Sequence, residues 1–133
     1  MKTNPYAKID QTAFPLITVT FTGERSTNSN FKAYLKDLDD CYFAQQKLAI
    51  VFDATKAAVP RLSHQKLQAK WIKDNTAVME ELCKGTAYVI PSKTLQWVLK
   101  MILLLQKQPV PYQVFSTYKE AQIWCWNQLQ NKN

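Results

Sequence analysis

The residues of this chain that could do chemistry are few, and most of them are neutral. His64 is the only histidine. A Ser–His or Cys–His nucleophile would have to use it. Its neighbour Ser63 is a poor partner, because adjacent positions on a helix do not face each other. Cys41, Cys83 and Cys125 are far apart and form no Cys-x-x-Cys pair. They read as small buried hydrophobes in a reducing compartment. No ligands cluster with metal-binding spacing, so no metal is expected. Gly23 and Gly85, the only glycines, belong to neither a Gly-x-Gly-x-x-Gly nor a Walker-type loop. Both nucleotide cradles need several glycines, so neither is present and no cofactor is expected.

What remains is a set of short hydroxyls with one acid and one base: Asp53, Thr55, Ser63, Ser92, Lys93, Thr94, Ser116 and Thr117. Each lies in a segment that follows a predicted parallel strand, so all should gather at one edge of a sheet. Donors are plentiful and a general base is missing. The set suits an anion, or a phosphorylated or acidic partner segment, held at helix N-termini. The plainer account is that each hydroxyl caps its own helix, since every helix start leaves N–H groups unpaired. Asp53 can likewise accept loop N–H groups in an Asx-type turn. Ser63 can act as an N-cap, with Leu62 and Leu67 as its hydrophobic staple. It can also carry a phosphate, and the two roles are compatible.

Arg61, Lys66, Lys70 and Lys73 form a basic stripe, the lysines at i, i+4 and i+7. Such a stripe is either a solvated face or a dock for an acidic protein or an anionic membrane surface. Lys plus Arg number 17 against 10 acids, a formal net charge of +7, yet Arg25 and Arg61 are the only arginines. Nucleic-acid readers favour the planar Arg fork, so nucleic acid is not the expected partner.

The elements that must position these residues are legible from periodicity. Leu48 to Phe52 is a continuous apolar run that breaks at Asp53, as in a strand buried on both faces of a parallel sheet. Before it, Tyr6–Ile9 and Phe14–Phe21 form an antiparallel hairpin, with Ile17, Val19 and Phe21 on one face and the threonines on the other. Gly23 ends it. A first helix runs from about Asn30 to Gln46, capped by Asn28, Ser29 or Asn30, with Phe31, Leu35, Leu38 and Tyr42 as its stripe. A second runs from about His64 to Lys84, burying Leu67, Trp71, Val78 and Leu82, with Gly85 as its C′ residue. Thr86–Ile90 is a strand. A third helix runs from about Leu95 to Lys107, capped by Ser92 or Thr94. Its Leu95, Val98, Leu99, Ile102 and Leu105 pack inward, while Trp97, Met101 and Leu104 widen the apolar face. Tyr112–Phe115 is a last strand. Thr117 and Glu120 form the capping box of a helix to about Gln130 that buries Ala121, Trp124, Cys125 and Leu129. The order β-β-α-β-α-β-α-β-α predicts a mixed, mostly parallel α/β sheet with an N-terminal antiparallel hairpin and four helices.

The chain has 133 residues, 47% of them hydrophobic. One domain over 1–133 follows, ordered from about residue 6 to 130. The longest apolar run, Met101 to Leu105, is too short to cross a bilayer. No apolar stretch follows Met-Lys-Thr-Asn-Pro, so no signal peptide is expected and the setting is read as cytoplasmic.

This layout resembles the STAS superfamily, the anti-sigma-factor-antagonist fold, and more closely its SpoIIAA-like group of small bacterial proteins. The matching pieces are Phe14-Pro-Leu-Ile-Thr-Val-Thr-Phe-Thr-Gly23, Ala49-Ile-Val-Phe-Asp53, Ala87-Tyr-Val-Ile-Pro91, and Gln113-Val-Phe-Ser-Thr117 with a Trp-bearing terminal helix. The resemblance implies the fold and a non-enzymatic regulatory or protein-interaction module. Relatives bind a kinase-like protein and are phosphorylated on a Ser or Thr after the strand ending in Asp. That position falls at or near Ser63, where the family's Asp-Ser-Ser-Gly-Leu run is replaced by Pro60-Arg-Leu-Ser-His-Gln65. The implied partner is a kinase-like or acidic regulator. The alternative is a small apolar ligand or lipid held around helix 95–107, whose excess apolar surface also fits a homodimer or a membrane-surface contact.

Overall fold

The computed structural model describes residues 4–131. Strands β1 (Ala7–Asp10) and β2 (Leu16–Phe21) pair antiparallel, Ile9 opposite Val19. Asp10 reverses the chain between them: its Oδ1 accepts the Thr12 N–H at 2.8 Å and the Thr12 hydroxyl at 2.6 Å, an Asx turn. β3 (Leu48–Asp53), β4 (Cys83–Val89) and β5 (Tyr112–Phe115) add in parallel, giving the order β1-β2-β3-β4-β5. The two segments expected at the centre are adjacent and parallel, and the hairpin strand sits at an edge. Gly23 ends the hairpin at φ +93, a conformation that favours glycine.

Because sequential strands are spatial neighbours, every crossover steps the same way. Crossovers of one hand then put their helices on one face. That face carries α1 (Asn28–Asp40), α2 (Leu62–Asp74), α3 (Thr76–Leu82) and α4 (Lys93–Leu105). Its core joins Ile17, Val19 and Ile50 to Phe31, Leu38, Ile72 and Ile102. The last helix, α5 (Tyr118–Gln130), covers the other face, where Leu16, Ala49, Val51, Ala87 and Val89 meet Ala121 and Cys125. Alternation along β2 sets this division: Ile17 and Val19 go to the first core, and Thr18 bonds the Tyr118 hydroxyl of α5 at 2.8 Å.

Five helices stand where four were expected. The long second helix is broken at Asn75, whose φ is −111 and ψ 12. Asn75 Nδ2 donates to the Trp71 carbonyl at 2.8 Å and Thr76 Oγ1 to that of Ile72 at 2.9 Å. Side chains that bond back to the preceding turn compete with the helical ladder. Chain that was expected to be helix, Cys83 and Lys84, is already strand. Gly85 is not a helix cap but lies inside β4. A Cβ there would come within 2.9 Å of Trp124 and 3.0 Å of Gln128, so glycine lets α5 approach the sheet.

The starts of α1 and α4 shift by two residues, and α5 begins at Tyr118 as expected. The N-cap of α1 is Thr27, in a capping box with Asn30: Asn30 N–H donates to Thr27 Oγ1 at 3.0 Å and Thr27 N–H to Asn30 Oδ1 at 2.7 Å. Ser92 caps α4 by accepting from Leu95 N–H at 3.3 Å. Thr117 caps α5 by accepting from Glu120 N–H, but its hydroxyl also donates to the Glu120 carboxylate at 2.9 Å. The reciprocal half of the expected box is therefore side chain to side chain. Leu105, expected inward, is 55% exposed.

Candidate functional site

The sheet edge comes first. β3, β4 and β5 end in register, Asp53 opposite Val89 and Val89 opposite Phe115. The next residues keep the pairing, Ala54 N–H donating to Val89 O at 2.9 Å and Ile90 N–H to Phe115 O at 3.1 Å. Asp53, Thr55, Ser92, Lys93, Thr94, Ser116 and Thr117 thus leave one edge of the sheet together, and Thr55, Ser92, Lys93, Thr94, Ser116 and Thr117 are exposed. Local bonds occupy several of them. Asp53 Oδ1 accepts the Thr55 N–H at 3.1 Å and its hydroxyl at 2.6 Å, the same turn that Asp10 makes elsewhere. Ser92 and Thr117 cap α4 and α5.

Ser63 is not the N-cap of α2. Arg61 occupies that place and makes no side-chain cap bond, and Ser63 is the exposed second residue of the helix. Its hydroxyl is accessible at an N-terminus that no side chain closes. Arg61, Lys66, Lys70 and Lys73 are all exposed, and Lys70 pairs with Asp74 at 2.6 Å, four residues on. Exposed pairs of this kind contribute about 0.3–0.5 kcal/mol.

His64 has a partner that sequence reasoning missed. It is fully buried, with Nδ1 2.7 Å from Ser26 Oγ and Nε2 2.9 Å from Asn28 Oδ1. Arg61 N–H donates to the same Ser26 oxygen at 3.0 Å. Asn28 Oδ1 can only accept, so Nε2 carries the proton and the Ser26 hydroxyl donates to Nδ1. Burial, then the nearby Arg61 charge, holds the imidazole below its ordinary pKa. The ring lies flat on Phe31, 5.1 Å between centroids. Ser26, His64 and Asn28 have the bonding order of a nucleophilic relay, but Ser26 is 2% exposed and His64 0%. They fasten the loop before α1 to the start of α2. The sequence signal was a lone histidine beside a polar loop, which names no partner.

An apolar cavity lies on the helix-rich face. α4 packs against α2 rather than lying directly on the strands, because rings fill the ground between. Phe21, Phe52 and Tyr88, each last or next to last in its strand, stack across β2, β3 and β4 at 6.3 Å and 5.3 Å. Tyr6, Phe31 and Tyr34 form a second group, 5.3–5.8 Å apart. Each such pair adds about 0.5–1.5 kcal/mol beyond its buried area. Between these rings and Val98, Leu99 and Ile102 of α4 lies a cavity of about 110 Å³. Its wall includes half-buried residues of the loop after β3, Ala57, Ala58 and Pro60, and of early α4, Leu95 and Leu99.

The polar groups of this wall are neutral. Tyr34 donates to Gln68 Oε1 at 2.8 Å and Tyr6 to the Ala58 carbonyl at 3.1 Å. Burial raises the Tyr6 hydroxyl to about 12 and pushes those of Tyr34, Tyr42 and Tyr88 up as well. The thiols behave alike: burial raises Cys41 and Cys125 to about 12, and Cys83 upward too. All three are free and buried, so none is a reactive thiolate near neutrality. Among the described residues no group of His, Cys, Asp or Glu could hold a metal. Aromatic residues at three strand ends were the sequence signal for this site.

Strand order, the hairpin and the lone helix behind the sheet define a SpoIIAA-like α/β fold. A crystal structure of an uncharacterised protein of the DUF3478 family from Shewanella loihica PV-4, with a SpoIIAA-like fold, matches at a TM-score of 0.62. The match covers 94% of this chain and 98% of that one at 13% sequence identity, so the likeness is one of fold. No protein-family model matches the chain, and no functionally curated protein matches it in sequence. Among the described residues no helix is long and apolar enough to cross a membrane.

Proposed function

We propose that this protein is a non-enzymatic binding module that takes a small apolar molecule into the ring-lined cavity under α4. The observation that carries the reading is the cavity itself, about 110 Å³ with no charged residue among the described residues of its wall. Protein interiors rarely leave such volume unfilled, and an apolar cavity of about 150 Å³ is enough to bind benzene. The size argues against a long-chain lipid, since pockets for larger ligands run to roughly 300 Å³ and above. The test is titration with toluene, followed by thermal denaturation. Toluene at about a hundredfold excess over its Kd should raise Tm by roughly 10 °C. Val98→Phe, which fills the cavity, should abolish that rise. No rise with toluene, benzene or indole sinks the reading.

A second reading has its own observation. On α4, Trp97, Leu104 and Leu105 are 60%, 78% and 55% exposed, a strip suited to a second copy, a protein partner or a membrane surface. On this reading the module is regulatory and cytoplasmic. Its partner, kinase-like or acidic, meets the basic stripe and the exposed Ser63, whose phosphorylation controls the contact. The uncapped start of α2 would accept the added charge.

A further inference from the structure

We infer that the cavity selects a small neutral ring that bears one hydroxyl group, recognised at Gln108; this rests on the reading that the cavity binds a ligand. Gln108 and Tyr42 both line the cavity and are both 7% exposed. Gln108 Nε2 donates to the Tyr88 hydroxyl at 2.7 Å, while its Oε1 is buried with no hydrogen-bond partner. The Tyr42 hydroxyl has no partner beyond the weak Cys83 thiol beside it. An unpaired buried polar atom costs about 1–3 kcal/mol, so native proteins keep few of them. Here the two such atoms among the described residues line one cavity.

Their place in the fold gives the ligand a direction. Tyr42 stands just before β3 and Gln108 just before β5, at the N-terminal edge of the parallel strands. The loop after β3 and the start of α4, which also line the cavity, stand at the opposite edge. A ligand entering from that side would lead with its polar end and leave its apolar body among the rings. The amide of Gln108 can sit in either of two orientations related by a flip. One leaves an acceptor unpaired and the other a donor, and a hydroxyl satisfies either because it both donates and accepts. A charged headgroup finds nothing to pair with, because among the described residues no Lys, Arg, His, Asp or Glu lines the wall.

The experiment compares phenol with toluene, close in size and different in one group, by calorimetric titration of the full chain. Leaving water costs phenol more than toluene, so an apolar cavity should prefer toluene. The expected result is that phenol binds at least as tightly as toluene and that benzoate does not bind. In the double variant Gln108→Met, Tyr88→Phe, which removes both partners of one hydrogen bond, phenol should weaken at least tenfold and toluene less than threefold. Binding of toluene at least tenfold tighter than phenol to the wild-type protein overturns the inference and leaves the cavity as an apolar site. So does an unchanged phenol-to-toluene ratio in the variant. Failure of both probes to bind overturns the ligand reading itself. The wild-type comparison decides the matter should the variant not fold.

Discussion

The two faces of the central sheet are covered in opposite ways. Behind it, small side chains let one helix come close: Ala49, Ala87, Ala121 and Cys125 are all 0% exposed, and Gly85 removes even a Cβ beneath Trp124. In front, aromatic rings on three strands hold α4 away and leave a cavity. Residue volume on a strand thus decides whether the covering helix seals the face or stands off it. In this molecule the sealed face is close-packed and the propped face keeps open space.

Two substitutions break or sharpen that contrast. Gly85→Val adds bulk to the sealed face, where Trp124 and Gln128 leave none, and should cost about 3 kcal/mol, read as a lower urea midpoint. Val98→Phe adds bulk to the propped face, and its midpoint should stay level or rise by about 1 kcal/mol. Equal losses from the two changes would mean that the faces are packed alike.

The next effect tests what fastens the front face. His64→Leu should cost about 2 kcal/mol by stranding Ser26 and Asn28. It should also change the pH dependence of stability. The folded pKa of His64 lies below the ordinary 6.5, so the unfolded chain takes this proton first. The contribution of His64 is therefore complete above a pH of about 6.5 and is lost as pH falls from there through the folded value. Thermal melts across that range should show a wild-type slope that the variant lacks; parallel curves would remove His64 from the account.

The smallest effect concerns the exposed edge. Ser63→Asp places a charge at the open start of α2 and should move stability by less than about 0.5 kcal/mol. On the interaction-module reading it should nevertheless alter retention of the chain's binding partner from host extract, measured beside Lys93→Ala. Retention unchanged by both substitutions would leave that edge as scaffold.

Much of the frame was legible in the residues. The alternation along Ile17, Val19 and Phe21 has the period of two of a strand, the run Leu48 to Phe52 is short and apolar throughout before it breaks at Asp53, and Pro111 marks the start of the segment at Tyr112. The break at Asn75 was not legible, because it depends on side chains turning back to bond carbonyls within an otherwise helical pattern. Gly85 was misread because a glycine after a helical stretch usually caps it, and only the third dimension shows Trp124 above it. The hydroxyl-rich edge was legible as a place, since topology alone brings strand ends together. The cavity was not: its rings come from Tyr6 before β1, from β2 to β4 and from α1, and its polar end from Gln108, a residue in a loop with no period at all.

The closing of the rear face by the last helix bears on how the chain is made. While residues are added from the N-terminus, β1 to β5 and the front helices are complete before α5 exists. Until Tyr118–Gln130 follows, Leu16, Ala49, Val51, Ala87 and Val89 form a flat apolar surface with no cover. A chain that formed the rest of the fold without α5 would be sticky on one side, the kind of surface that chaperones hold. The thirteen residues of α5 are what close it.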